Sequence, residues 1–416
     1  MLAIDDGEPV RRHPWPTYET GDTFIDETDE DVAVAAVRDR RYFRYDDRPF
    51  DTTHNGRLEH RVGQLLDTTH VLACTSGTTA IALSLLALDL PPNSAIACSA
   101  FTFSATPSAI LLAGHRPVLI GIDEDLHLDT AHLREVLDRE TLAAIVVVHM
   151  RGFASDMPEV MGIAAEFSLP VIEDAVPVLG ATLHGRPLGT FGRFGAFSTQ
   201  ADKPVNTGEG GFLVTDDPEA YARAVVYCGG YEGRMARHFP DGPPPVSDRD
   251  YPHFAWRMDE IRAALATSML DRLPERITRH RANYIRLARQ LDAIPGLRLR
   301  EPVAQDAYTG QFLTLRVLNS TGAESDWYAQ ALRAEGIAAT ALGSIQRPNA
   351  RAFWNWAYLT GPIPGDARAQ LPRTARLIDE IVDIPLSAHL TKDDLDDLVT
   401  AVRKVHGAFR GRTEQN

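Results

Sequence analysis

Short apolar runs rich in β-branched residues alternate with stretches of helical character, and that alternation restricts the fold more than any other feature. Ala95 to Ser99 (AIACS) reads as a strand, as do Pro117 to Ile122 (PVLIGI), Ala143 to His149 (AAIVVVH) and Pro170 to Glu173 (PVIE). Helical patterns occupy Thr130 to Arg139 and Pro158 to Phe167. A strand that is apolar on both faces needs cover on both faces, and helical crossovers supply it. The pattern predicts an α/β fold with a buried, mostly parallel central sheet built from βαβ units.

The texture changes further on. Gly229 to Tyr251 contains GGYEG and PDGPPP and reads as a long irregular loop, a type of segment that usually serves function. Met258 to Leu291 reads as long charged helix, followed by a strand at Phe312 to Val317 and helices at Ser325 to Glu335 and Thr391 to His406. A chain of 416 residues exceeds one small core. The expected division is an N-terminal arm over 1–25, a large domain over 26–270 and a smaller α+β domain over 271–416. A helix is expected from Thr28 to Asp39, with Thr28 as its N-cap.

A net charge of -15 weighs against a nucleic-acid binder, which would normally show a basic face, and the one basic-aromatic stretch, Arg38 to Tyr45, reads as a helix end entering a loop. The three cysteines, Cys74, Cys98 and Cys228, form no CxxC pair, so neither a disulfide framework nor a metal site is expected. No apolar run suits a membrane span and no signal peptide is visible, so a cytoplasmic protein is expected.

Four short segments carry candidate chemistry. Thr75 to Ala80 (TSGTTA) follows an apolar strand and opens an apolar helix. Its small residues leave backbone N–H groups open to an anion, with Gly77 allowing close approach and Thr78 adding a hydroxyl; it also reads as a plain N-cap. Asp174 ends the strand in VIEDA, at the edge where open α/β sheets bind ligands, although an acidic strand end is often merely solvated. Glu173 points to the opposite face. Lys203 lies 29 residues beyond Asp174, ahead of the turn Thr207 to Gly211, with Ser198 five residues before it. Phe103, in SAFTFSAT, offers an aromatic face or simple core packing. His149 reads as a hydrogen-bonded core histidine.

Together these are the groups that pyridoxal phosphate requires. Lys203 supplies the Schiff-base amine and the base, and Asp174 the anion for the pyridine nitrogen. Gly77, Thr78 and Ser198 supply a phosphate cradle, and Phe103 a face for the ring. Burial beside a pyridinium favours the neutral amine that both roles of the lysine need.

The set SGTTA, SAFTFSAT, PVIEDA, GRPLGTFGRFGAFS and KPVNTGEGG resembles the DegT/StrS family of sugar and cyclitol aminotransferases over roughly residues 8–405. The resemblance implies a fold type I enzyme with Lys203 as the cofactor lysine and Asp174 at the pyridine nitrogen. It implies Phe103 stacking on the ring, and Gly77, Thr78 and Ser198 at the phosphate. It also implies a homodimer with the active site at the interface. GEPVRRHPWP resembles the opening of the branch acting on cyclitol and related antibiotic precursors. Two positions depart from the family pattern. Pro177 stands where a Gln or His usually meets the cofactor's 3-hydroxyl, and Ala255 where an Asn usually reaches the partner's phosphate. Asp202 adds a charge beside the lysine.

The expected reaction moves an amino group from L-glutamate or L-glutamine to a keto-sugar, keto-cyclitol or related ketone. Arg257 is a candidate for substrate carboxylate or for a structural ion pair, and Tyr231 for acceptor contact or loop packing. A dehydratase, cyclase or elimination enzyme on the same fold is the first alternative, and a non-catalytic regulator the second.

Overall fold

A computed structural model describes residues 1–16 and 25–413. Residues 17–24 of the expected arm lie outside the described residues. The large sheet uses β1 (His70–Cys74), β2 (Ala95–Ser99), β3 (Arg116–Ile120), β4 (Ala144–Val148) and β5 (Val171–Asp174). A small hairpin of β6 (Thr182–Leu183) and β7 (Arg186–Pro187) precedes β8 (Phe194–Ser198) and β9 (Gly211–Thr215). The strand order is β1-β9-β8-β5-β4-β2-β3. Pairing is parallel from β3 through β8, and β9 alone runs antiparallel to its neighbours β8 and β1.

The strand alternation divides the core. Val71, Ala73, Ile145 and Val147 enter one layer with Leu58, Val62, Val160 and Ile163. Leu72, Cys74, Ala144 and Val146 enter the other with Ile81, Leu85, Val225 and Val226. The helix Gly77–Ala87 is buried almost all round, which explains why its sequence is apolar without a polar face.

A second sheet, β10 (Leu297–Leu299), β11 (Phe312–Val317), β12 (Thr340–Ala341) and β13 (Ile381–Pro385), is antiparallel in the order β10-β11-β13-β12. Helices Leu273–Leu291, Gly322–Ala334 and Lys392–Thr413 pack with it. The N-terminal residues dock here too. The Ala3 and Val10 amides donate to the buried Glu335 carboxylate at 2.9 and 3.0 Å, and Trp15 Nε1 donates to Pro385 O at 2.9 Å. Arg300, at the end of β10, donates to Met150 O at 2.6 Å and Leu126 O at 3.0 Å, tying the two sheets together.

Three expected details change. The first long helix is Glu27–Asp39, and Asp26 rather than Thr28 is its cap, accepting from the Thr28 and Asp29 amides in a capping box. The charged stretch from Met258 divides into Glu260–Leu270 and Leu273–Leu291, because Pro274 lacks the N–H that a continuing helix needs. The loop 229–251 contains one short 3-10 turn, Arg234–His238. All three cysteines are free and buried. Among the described residues no helix is long and apolar enough to cross a membrane.

Candidate active site

The parallel strands deliver their C-terminal ends to one cavity of about 260 Å³. After β1 the chain turns at Ser76, which caps the helix Gly77–Ala87: the Thr79 amide donates to Ser76 Oγ at 3.1 Å, and the Ser76 amide donates back to Thr79 Oγ1 at 2.9 Å. The first amides of a helix have no partner within it, and here Gly77 and Thr78 line the cavity. A Cβ on Gly77 would sit 2.9 Å from both Ser198 Cβ and Val176 Cγ2. Only glycine allows the ends of β5 and β8 to approach this helix so closely.

Asp174 ends β5 with its carboxylate buried in the cavity wall. Thr106 Oγ1 donates to Asp174 Oδ2 at 2.7 Å and is itself 2.7 Å from Thr102 Oγ1. Burial pushes the Asp174 carboxyl above its ordinary value, against the pull of Thr106 and the Val176 amide. A cation at this position would relieve that cost.

β8 ends at Ser198, and the chain then makes an excursion before returning as β9. The excursion is closed by Thr199 N–H to Gly210 O at 2.9 Å and Ala201 N–H to Gly208 O at 3.1 Å. A Cβ on Gly211 would meet Phe197 O at 2.5 Å and Gly77 N at 2.7 Å, so the return strand also needs glycine where it passes the helix start. Lys203 lies on this excursion, its Nζ 3.0 Å from Asp202 Oδ1. The lysine therefore meets a carboxylate as well as the small residues that surround it in the sequence. Phe103 is 48% exposed, which excludes core packing and leaves its ring lining the cavity.

Gly77, Thr78, Phe103, Asp174, Ser198 and Lys203 thus share one cavity. Arg257 and Tyr231 do not line it. Arg257 Nη1 donates to Gly229 O at 3.1 Å, and its guanidinium lies 5.4 Å from the Phe43 ring and 5.9 Å from the Tyr231 ring. Tyr231 stacks on His253 at 5.2 Å. Within the protomer both brace the loop 229–251, because β1 and the Trp256 carbonyl, which accepts from Thr75 N–H at 2.9 Å, hold this segment beside the helix start rather than in the cavity. Glu173 points away, accepting from the Gly189 and Gly192 amides at 2.8 and 2.7 Å. His149 Nε2 lies 3.0 Å from Glu173 Oε2, while its Nδ1 accepts from Ser155 N–H at 3.1 Å, the satisfied core histidine that was expected.

Sequence reasoning missed four residues on the opposite wall: Arg151, Gln311, Phe312 and Arg351. Arg151 has φ 59, pairs with the buried Asp383 and lies 4.1 Å from the Phe312 ring. The arginine of Arg351 is 5.6 Å from the Phe103 ring. Arg151 and Arg351 come from irregular stretches and Gln311 and Phe312 from the start of β11, and no local pattern marks them as site residues. Thr106 was within reach, three residues beyond Phe103 in SAFTFSAT.

Residues 50–403 match the DegT/DnrJ/EryC1/StrS aminotransferase family. The chain belongs to this family. It is 28% identical to a UDP-N-acetyl-3-dehydro-alpha-D-glucosamine 3-aminotransferase of Acidithiobacillus ferrooxidans over 366 residues, 87% of this chain and 92% of the relative. It is 30% identical over 308 residues to a putative L-glutamine:3-amino-2,3-dideoxy-scyllo-inosose aminotransferase of Micromonospora echinospora, 73% of this chain and 69% of the relative. The solved structure of DesI with its TDP-sugar product superposes with a TM-score of 0.78 at 26% identity, covering 99% of each chain.

This aminotransferase is a pyridoxal-phosphate enzyme, and its cavity fits the cofactor on three counts. Open helix amides beside a serine hydroxyl suit a phosphate dianion. A buried carboxylate whose ionisation is costly suits a pyridinium. Phe103 and Val176 offer apolar faces for a flat ring. Pro177 lines the same cavity and brings no hydrogen-bond donor to it.

Proposed function

We propose that this aminotransferase moves an amino group from L-glutamate or L-glutamine to a keto-sugar, keto-cyclitol or related ketone in sugar or antibiotic biosynthesis. The observation that carries the reading is Lys203 in one cavity with Asp174, Ser198 and the open helix start at Gly77. The names of the relatives, a nucleotide-sugar aminotransferase and a scyllo-inosose aminotransferase, support the acceptor class.

When bound, pyridoxal phosphate supplies an electrophilic carbon for the amine and a sink for the electron pair left at the donor Cα. Gly77 and Thr78 amides and the Ser198 hydroxyl hold the phosphate. Asp174 holds a proton on the pyridine nitrogen, and Thr106 orients that carboxylate at 2.7 Å. Phe103 packs against the ring. Lys203 Nζ would be the base that moves the proton at the donor Cα when the cofactor is held in the cavity. Asp202, 3.0 Å from Nζ, orients the amine for that role.

Residues 26–270 act as the cofactor domain and 271–416 as the smaller domain, in a cytoplasmic homodimer. The exposed Val34, Val37, Tyr42 and Phe43 lie on the side of Arg257 and Tyr231, and this apolar surface supports a subunit contact there. In such a dimer Arg257 and Tyr231 contact substrate in the neighbouring subunit's cavity.

The deciding experiment incubates holoenzyme and donor with nucleotide-linked keto-sugars, inososes and simple ketones in turn. One equivalent of aminated product per keto acid released is expected. Keto acid released without an aminated product sinks the reading.

A further inference from the structure

We propose that Thr102 and Thr106 form a two-hydroxyl relay that stabilises Asp174 as the anion facing the cofactor's ring nitrogen, with Thr102 acting only through Thr106. The inference rests on the reading that Asp174 is the partner of that nitrogen.

The relay is short and enclosed. Thr106 Oγ1 donates to Asp174 Oδ2 at 2.7 Å, and Thr102 Oγ1 lies 2.7 Å from Thr106 Oγ1. Both threonines are fully buried, and Thr102 also touches the cavity. A helical threonine commonly turns its hydroxyl back on the carbonyl four residues earlier. Thr106, in the first turn of the helix Ala105–Leu112, gives its proton to the carboxylate instead. Among the described residues it is the one side chain that hydrogen-bonds Asp174.

The direction of the chain follows from its end. An ionised carboxylate only accepts, so the Thr106 proton is committed to Asp174. Thr106 then has only lone pairs left for its neighbour, and Thr102 must donate. Both hydroxyl dipoles point toward the carboxylate, and hydrogen bonds in such a chain strengthen one another. When the carboxyl is protonated both hydroxyls rotate: Asp174 donates to Thr106, and Thr106 to Thr102. The chain stays bonded in either state. The charged state gains more, because hydrogen bonds to an ion are the stronger ones. The relay thus opposes the burial that pushes the Asp174 carboxyl upward.

The other charged groups around Asp174 do not replace this contact. Lys203 lies 3.0 Å from Asp202, Arg151 is paired with Asp383, and His149 is bonded to Glu173 and Ser155. Lys203 and His149 act on Asp174 through space only. Glu209 and Arg351 line the same cavity, and neither hydrogen-bonds Asp174. A carboxylate that meets its cations only at a distance depends on its hydroxyl donor and the Val176 amide.

The test titrates Asp174 in the full chain freed of cofactor, through the infrared band of its protonated carboxyl, identified as the band that Asp174→Asn removes. Thr106→Val should raise the proton affinity of Asp174 about tenfold, the difference between hydrogen bonds to charged and to neutral partners. Thr106→Ser should restore it to within about threefold. Thr102→Val alone should raise it about two- to threefold, and should add nothing once Thr106→Val is present. The dissociation constant of pyridoxal phosphate, measured by dialysis, should rise with these changes. A titration that Thr106→Val leaves in place overturns the inference, as does an effect of Thr102→Val that persists beside Thr106→Val. If Thr106→Val does not fold, Thr102→Val carries the test, and a titration it leaves unmoved overturns the relay. If the titration moves while cofactor affinity does not, the relay stands and the reading that puts Asp174 at the ring nitrogen falls.

Discussion

The two walls of the cavity are built by different means. The wall made by the large sheet takes Gly77, Asp174 and Ser198 from strand ends or the helix start that follows one, with Lys203 on a closed excursion. The other wall takes Arg151 from a left-handed turn, Gln311 and Phe312 from the start of β11, and Arg351 from an irregular segment. The first wall depends on local chain geometry and the second on long-range ion pairs and clamps. Chemistry common to a family belongs on the first kind of wall, and substrate choice on the second, where loops can change without disturbing the sheet.

The sharpest break of this comparison is at Lys203. Lys203→Ala should lower the rate of amine transfer by at least about 10⁴-fold, since nucleophile and base leave together. It should also remove the borohydride-sensitive visible absorbance of the holoenzyme. A variant that keeps both would move the chemistry off the first wall. Asp174→Asn should cost about 10³-fold in rate, the scale of one preorganised electrostatic group, while the protein without cofactor becomes no less stable because a costly buried charge has gone. Equal stability loss and rate loss in that variant would mean that Asp174 serves packing instead.

The difference between the walls also explains what the sequence made legible. AIACS, AAIVVVH and PVIE match or overlap β2, β4 and β5, because strands buried on both faces must be apolar along their length. Asp174 and Gly77 could be read because their roles follow from a strand end and a helix start. Arg151 could not, since its meaning depends on Asp383, 232 positions later, and on a φ of 59 at a residue that is itself neither glycine nor asparagine. The bracing role of Arg257 was equally hidden, because it follows from Gly229 O and the Phe43 ring. The division of Met258 to Leu291 was visible in principle at Pro274, but the charged helical pattern on either side masked it.

A third test falls on the join between the walls. Asp383→Asn leaves Arg151 as a buried cation without its counter-charge. The expected cost is about 3 kcal/mol of unfolding free energy, typical of a broken buried pair. Denaturant titration measures it. A loss below about 1 kcal/mol would place this pair with surface salt bridges and make the second wall an adaptable surface.

The mildest test uses acid, to which the two walls should respond in opposite directions. His280, on the helix Leu273–Leu291, packs against Gly310, directly before Gln311, and burial lowers its pKa to about 4. Its folded value lies below the usual 6.5, so its contribution to stability is complete above that pH and is lost as pH falls toward 4. Asp174 has the reverse sign. Its folded value is raised, so without cofactor its burial penalty is relieved as pH falls through that value. Between pH 7 and pH 5 the protein lacking cofactor should therefore lose about 2 kcal/mol through His280. His280→Gln should flatten that slope. Asp174→Asn should steepen the decline, because it removes a group that gains from acid. Hydrogen exchange separates the regions: amides of β11 and β13 should lose protection before those of β4 and β5. If β4 and β5 open first, acid acts through the large sheet, and the second wall is the more robust of the two.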